Sequence, residues 1–300
     1  MEQIILDAMR AKLLERASID KLPESIWKRI AALNTWGTNA IEGSTISQKD
    51  AEKILLENKT PTSKPVRDVL ETIQHEHAFR GLIDRRYIEI TMETALELHE
   101  EVFKFILPDA GQWRRVNVRI RGAPFTPPRM EKVIFEMEKW VTDYRKYDVD
   151  GENVFLLAAR MHYQFERIHP FSDGNGRVGR LLLNLHFMNR NWPPVHILPP
   201  NRNNYLKGLN SAARGDYKPL EDLFKVLMSS SLLDLLDQMG IANDELISLK
   251  DLEKETPYSA KYIALRCKQG ELPALRSGRQ WRTSKWALKL YREYVGRKMD

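Results

Sequence analysis

The chain has 300 residues, 42% of them apolar and 29% charged, with a formal net charge of +6. That balance supports a buried core and excludes a disordered chain, and no apolar run approaches the roughly 18 residues of a membrane-spanning helix. A single cysteine, Cys267, excludes an internal disulfide and fits a reducing compartment.

The start, Met1-Glu-Gln-Ile-Ile-Leu-Asp7, lacks a basic region ahead of an apolar one. No signal peptide is therefore expected, and the cytoplasm is the expected compartment. Residues 1–58 read as helices. Apolar spacing from Ile26 through Leu33, Trp36 and Ala40 predicts one helix, which Gly43 stops, and Ser47-Gln-Lys-Asp50 opens another. Thr60-Pro-Thr-Ser-Lys-Pro65 reads as a loop. Helical patterns follow over 66–83 and 92–106. His75-Glu-His77 lacks metal-binding partners and reads as surface polar residues. From Gly111 to Arg129 the texture changes. Val116-Asn-Val-Arg-Ile120 alternates as a half-exposed strand does, and Arg121-Gly-Ala-Pro124 is turn chemistry, which predicts a short β-hairpin.

Helical patterns resume over 131–147, 154–168, 178–188, 203–213 and 219–239. Two short helices, 246–255 and 259–268, two short strands around Ser277-Gly278 and a helix over 284–294 complete the chain. Cys267, in a helical pattern, reads as a packing residue. Residues 250–300 hold 13 Lys and Arg against 6 Asp and Glu, so the basic excess belongs to this last segment, and such asymmetry favours a nucleic-acid partner.

Between two of the helical runs lies His169-Pro-Phe-Ser-Asp-Gly-Asn-Gly-Arg-Val-Gly-Arg180. Gly174-Asn175-Gly176 feeds a helix start, where unpaired amides and the positive end of the dipole suit an anion. Arg177 and Arg180 add forked contacts for phosphate oxygens. Asp173 is a hard oxygen ligand of the kind Mg²⁺ takes beside substrate phosphates, and His169 is a candidate general base. The loop reads as a site for a nucleotide polyphosphate with a hydroxyl nucleophile beside it.

This stretch resembles the Fic family signature, His-x-Phe-x-(Asp/Glu)-Gly-Asn-Gly-Arg-x-x-Arg, and matches it at His169, Phe171, Asp173, Gly174, Asn175, Gly176, Arg177 and Arg180. Gly111-Gln-Trp-Arg114 with the segment after it is similar to the family's target-docking flap, here Val118, Ile120, Arg121 and Gly122. Arg202-Asn-Asn-Tyr205 is similar to the segment that closes the adenine pocket. The resemblance implies transfer of AMP from ATP to a Tyr, Ser or Thr hydroxyl of a target protein, or of the chain itself, with pyrophosphate leaving. His169 would take the hydroxyl proton and Asp173 would hold Mg²⁺. The loop amides and the Asn175 side chain would contact the α-phosphate, Arg177 the β-phosphate and Arg180 the γ-phosphate, with Tyr205 at the adenine and Phe171 anchoring the loop. Gly176, where a lysine would go with phosphoryl transfer, argues for AMP transfer, while a CDP-adduct donor stays open.

Thr38-Asn-Ala-Ile-Glu42-Gly43 matches the family's inhibitory pattern, (Ser/Thr)-x-x-x-Glu-(Gly/Asn), which implies that Glu42 pairs with Arg180 and occupies the γ-phosphate position. The last segment resembles an excisionase-type winged helix, with Lys261, Arg266, Lys268, Arg276, Arg279 and Arg282 as candidate DNA contacts. The expected architecture is mainly α. An N-terminal helical region (1–94) carries the inhibitory motif (38–43), a Fic core (95–240) carries a β-hairpin flap, and a winged-helix-like domain covers 244–300. The competing class is a DNA-binding regulator with a nucleotide-sensing core. No membrane partner is expected, and a homodimer is left open.

Overall fold

The computed structural model describes residues 1–240, 245–278 and 280–294. Thirteen α-helices occur among them: α1 (Gln3–Leu14), α2 (Glu24–Ile41), α3 (Gln48–Glu57), α4 (Val66–Gly81), α5 (Met92–Phe103), α6 (Val133–Val149), α7 (Val154–Ile168), α8 (Asn175–Met188), α9 (Arg202–Ala212), α10 (Lys218–Gln238), α11 (Leu249–Glu253), α12 (Ala260–Lys268) and α13 (Lys285–Tyr294). The three strands are β1 (Ile247–Ser248), β2 (Leu275–Ser277) and β3 (Gln280–Thr283). Two compact units divide the chain at points other than the three expected segments: Pro23–Leu223, and Met1–Leu22 together with the chain from Phe224 on.

In the first unit α8 is the central helix. Every residue from Arg177 to Met188 is buried, so its apolar residues run all round the helix rather than along one stripe. α7 packs along it and presents Phe155, Phe165 and Ile168, while α5 and α2 also lie against α8. α2 packs in turn on α3 and α4. Caps delimit several of these helices as their sequences suggest. Ser47 and Asp50 form a reciprocal capping box on α3, and the Asn153 side chain accepts from the Phe155 and Leu156 amides at the start of α7. His77 is exposed as expected, but His75 is fully buried, its Nδ1 3.0 Å from Thr35 Oγ1. The side of α4 that carries His75 also packs on α2, a long-range fact that i, i+2 spacing does not reveal.

The expected β-hairpin over 111–129 does not form. The segment is an irregular loop with a turn at Ile120–Ala123 (Ala123 N–H donates to Ile120 O, 3.3 Å) and no strand pairing. Its backbone groups are used by side chains instead. Arg114 NH1 donates to Val116 O (2.8 Å) and NH2 to Pro128 O (2.5 Å), and Met130 N–H donates to Asn117 Oδ1 (2.9 Å). Pro124, Pro127 and Pro128 bring no N–H to a ladder.

The second unit is built on a core of Leu249, Leu252, Ile263, Leu272, Leu288 and Tyr291. Cys267 belongs to that core, its thiol pushed up to about 12 by burial, which fits packing and not nucleophilic chemistry. The sheet has the order β1-β3-β2, all antiparallel, with Ile247 opposite Thr283 and Leu275 opposite Arg282. The sequence signals β2 and β3 and misses β1, which is two residues long. α1 buries Ile5, Leu6, Met9 and Leu13 and packs on α13, with Lys12 Nζ 4.1 Å from the Trp286 ring centroid.

Candidate active site

The site is the connection between α7 and α8. α7 ends at His169, whose φ of 52° and ψ of 60° turn the chain out of the helix while its N–H still reaches Phe165 O (3.0 Å). Phe171 then plugs the core. It is fully buried, stacked on His99 (centroids 3.8 Å apart) and flanked by Trp113. Asn175 fixes the loop to this plug. Its Oδ1 accepts from Phe171 N–H (2.8 Å) and its Nδ2 donates to Phe171 O (2.9 Å). These two bonds use the oxygen and one N–H of the carboxamide, and the second Nδ2 hydrogen is the donor the side chain has left. The first-turn amides of α8 have no carbonyl one turn back, which suits them to an anion.

His169 Nδ1 lies 3.2 Å from Glu166 O. A carbonyl only accepts, so Nδ1 carries the proton and Nε2 keeps its lone pair, the form a base requires. Burial lowers the pKa of His169, and the nearby Arg114 charge lowers it further against the opposing Glu166 bond, so the imidazole is neutral near pH 7. Arg114, buried, ties the loop to the flap: Nε donates to His169 O (2.8 Å), and its backbone N–H donates to Pro170 O (2.9 Å). His99 does the same for Asp173. Gly111 N–H donates to His99 Nδ1 (2.9 Å), which leaves the proton on Nε2 for Asp173 O (3.1 Å).

Arg180 is buried and held from α2. Its Nε donates to Thr38 Oγ1 (2.6 Å) and its NH2 to Glu42 Oε1 (2.6 Å). Only 5% of the Arg180 side chain is accessible, against 40% for Glu42, so the pair has a dry end and a wet end. Burial alone would raise the Glu42 pKa; the attraction and hydrogen bond of Arg180 outweigh it, and the carboxyl sits below the ordinary glutamate value. Glu42 is the C-cap of α2. Gly43 N–H donates to Ala40 O (3.2 Å) and Ser44 N–H to Asn39 O (3.0 Å), the paired bonds of a Schellman ending. Gly43 has φ of 95°, which a glycine adopts without strain. The Glu-Gly pair thus encodes a carboxylate fixed at the end of a helix.

Asp173 is half-exposed. Its Oδ1 accepts from Gly174 N–H (2.7 Å), and its Oδ2 lies 2.8 Å from Arg67 NH2. Arg177 is buried, with NH1 2.7 Å from Glu71 Oε2 and its guanidinium 4.5 Å from the Phe103 centroid. Tyr205 is placed behind the loop and not at an open surface. It is 3% exposed, and its hydroxyl donates to His162 Nε2 (2.6 Å), since His162 Nδ1 donates to Gly179 O (3.1 Å). In the flap, Val118 and Ile120 are partly buried and Arg121 and Gly122 are exposed. A half-exposed carboxylate beside a helix start would fit a Mg²⁺ that takes its other ligands from water and substrate phosphates. Among the described residues no group of three His, Cys, Asp or Glu forms an all-protein metal cage.

The candidate DNA contacts lie apart from this loop in sequence. Lys261 and Lys268 on α12, Arg276 on β2 and Arg282 on β3 are exposed. Arg266 is paired to Glu271 (2.9 Å) and lies over the Tyr262 ring, and Arg279 falls outside the described residues. Pattern reading missed Arg67, Glu71, His99 and Arg114 as functional residues. Only Arg114 carried a signal, as the end of Gly111-Gln-Trp-Arg114. The others meet the loop from 70 or more positions away in the chain, and no local pattern marks such a contact.

Residues 89–187 match the model of the Fic/DOC family. Protein adenylyltransferase fic-1 of Caenorhabditis elegans is 29% identical over 246 residues, which is 79% of this chain and 48% of that protein. The chain therefore spans about half the length of the curated nematode relatives it matches. The solved structure of Fic-1 (aa134–508) from C. elegans aligns with a TM-score of 0.66 at 28% identity, covering 78% of this chain and 71% of that one. A Fic-domain-containing signaling protein from Bacteroides thetaiotaomicron aligns with a TM-score of 0.70 at 22% identity, covering 78% and 97%, a likeness of fold. Residues 89–187 of this chain are thus a domain of the Fic/DOC family, with the His169–Arg180 loop as its signature.

Proposed function

We propose that this chain transfers AMP from ATP to a protein hydroxyl, on a target or on itself, and that Glu42 holds the site shut until it is displaced. The observation that carries the reading is His169, neutral and with Nε2 free to accept, on the loop that leads into the amides, Arg177 and Arg180 of the α8 start. The target hydroxyl gives its proton to His169 Nε2 as its oxygen bonds to the α-phosphorus. The α–β phosphoanhydride bond breaks, and pyrophosphate leaves with the electron pair. The α8 amides stabilise charge on the transferring phosphate, a contribution often worth about 3 kcal/mol per donor. Arg177 and Arg180 hold the leaving pyrophosphate. Asp173 would hold Mg²⁺, which when bound would offset negative charge on the phosphates. The curated relatives are named protein adenylyltransferases, which supports the same reaction here.

Glu42 gives the brake its form. It sits on the guanidinium that would take the γ-phosphate, so ATP can enter fully only after the carboxylate leaves. The flap offers backbone without strand pairing between Val116 and Ile120, suited to strand-like docking of a target segment. The test is label transfer from α-³²P-ATP with Mg²⁺ by three proteins: wild type, Glu42→Gly, and Glu42→Gly/His169→Ala. Label on the Glu42→Gly protein alone supports transfer, brake and base together. Equal label on wild type and Glu42→Gly removes the brake, and label on the double variant removes the base.

A second reading concerns the exposed Lys261, Lys268, Arg276 and Arg282. Cations spread over a short helix and a β-ribbon suit a phosphate backbone, so DNA is the proposed second partner. Duplex binding that weakens steeply with salt supports it. Binding unaffected by replacing all four cations with Gln excludes this surface.

A further inference from the structure

Four charged side chains form a closed ring beside the α8 start. Asp173 Oδ2 meets Arg67 NH2 (2.8 Å), Arg67 Nε donates to Glu71 Oε1 (2.9 Å), Glu71 Oε2 meets Arg177 NH1 (2.7 Å), and Arg177 NH2 returns to Asp173 Oδ1 at 3.8 Å. Asp173 and Arg177 belong to the loop, while Arg67 and Glu71 come from α4, where i, i+4 spacing puts both on one face. Of the Asp173 oxygens, Oδ1 is committed inward to the Gly174 amide (2.7 Å), and Oδ2 is the one that Arg67 covers.

We propose that Arg67 is a resident cation on Asp173, aimed there by Glu71, and that a divalent metal enters with the nucleotide only by displacing it. The inference rests on the reading of Asp173 as the metal ligand. A divalent ion bonds a carboxylate oxygen at about 2.1 Å. With a guanidinium nitrogen on the same oxygen, the two cations would stand within about 5 Å of each other and repel. Glu71 explains why Arg67 has a defined place although 54% of its side chain is accessible. One Glu71 oxygen is held by the buried Arg177, and the other faces Arg67. This contact is separate from the brake at Glu42, which engages Arg180 from α2. One occupies the metal-binding carboxylate and the other the γ-phosphate-binding arginine. Because Arg67 and Asp173 are both about half exposed, their pairing is weak, and its loss should tighten metal binding only about two- to fivefold.

The experiment is a titration of the full chain with Mn²⁺ in the presence of a non-hydrolysable ATP analogue, with free Mn²⁺ read by electron paramagnetic resonance. Four proteins are compared: wild type, Arg67→Gln, Arg80→Gln and Asp173→Asn. Arg80 lies on the same helix but pairs with Glu24 and Glu76, so it controls for the change in net charge. The expected result is tighter Mn²⁺ binding in Arg67→Gln alone and its loss in Asp173→Asn. Loss in Asp173→Asn with no tightening in Arg67→Gln, or equal tightening in both Arg variants, overturns the role of Arg67 and leaves the metal site standing. Unchanged binding in Asp173→Asn overturns the metal-site reading, and this inference with it.

Discussion

Glu42 and Gly176 face each other so closely that a Cβ on Gly176 would overlap Glu42 Oε1, while that oxygen is bonded to Arg180 NH2 at 2.6 Å. The second glycine of the loop is therefore matched to the Glu42–Arg180 pair. Adding a methyl pushes the carboxylate off its guanidinium. Gly176→Ala should cost stability in the wild-type background and less in Glu42→Gly, where the overlapping carboxylate is gone. A double-mutant cycle in urea should show a coupling of about 1 kcal/mol, typical of residues in contact. Additive effects would mean that Glu42 does not rest against Gly176.

Gly43 sets the aim of the same carboxylate from the other side. Its φ of 95° costs an L-residue roughly 1 kcal/mol, and relief of that strain moves the end of α2. Gly43→Ala is expected to raise self-labelling to a level between wild type and Glu42→Gly, although the carboxylate itself is retained. Label at the wild-type level would show that Glu42 keeps its position without the Schellman ending.

Asn175 presents a donor to the Phe171 carbonyl and an acceptor to the Phe171 amide, both in a buried setting. Asn175→Asp has the same shape but sets a carboxylate oxygen against a carbonyl oxygen. It should destabilise the fold by about 1–3 kcal/mol, the cost of spoiling a buried polar pairing. Unchanged unfolding in guanidinium would show that the loop does not depend on this clamp.

Burial of neutral imidazoles should make the protein acid-sensitive. His75 and His162 are lowered to about 3, His99 and His196 to about 4, and His186 well below its ordinary value, all mainly by burial. The unfolded chain protonates these groups as pH falls through their ordinary value of 6.5, and the folded chain does not. Their stabilisation is therefore present above that pH and lost toward pH 4, at roughly 1 kcal/mol per pH unit per imidazole. Glu166 acts in the opposite sense. Burial raises it to about 7, so its contribution is fully present below the ordinary glutamate value and lost as pH rises through 7. Five imidazoles outweigh one carboxyl, and denaturant midpoints should fall from pH 7 to pH 5. A flat or rising midpoint would contradict the neutral assignments.

How far these features were legible in the sequence follows from whether each is local. The His169–Arg180 loop and the Glu42-Gly43 ending are contiguous, so their residue types and order point directly to a helix start and a helix end. The amphipathic helices were legible for the same reason, within a turn at most boundaries. The flap was misread because Val116–Ile120 has strand alternation but no partner: Arg114 and the prolines take away the groups a ladder needs. The burial of Tyr205 under His162 and the Arg67–Glu71–Arg177 ring depend on which helices meet, and spacing within one helix carries no such information.

The most direct test of the central claim uses Glu42→Gly protein with Mg²⁺ and ATP labelled in parallel at the α- or the γ-phosphate. AMP transfer predicts that protein retains the α-label and none of the γ-label, and that the retained label disappears with His169→Ala. Retention of the γ-label would mean phosphoryl transfer and would contradict the account.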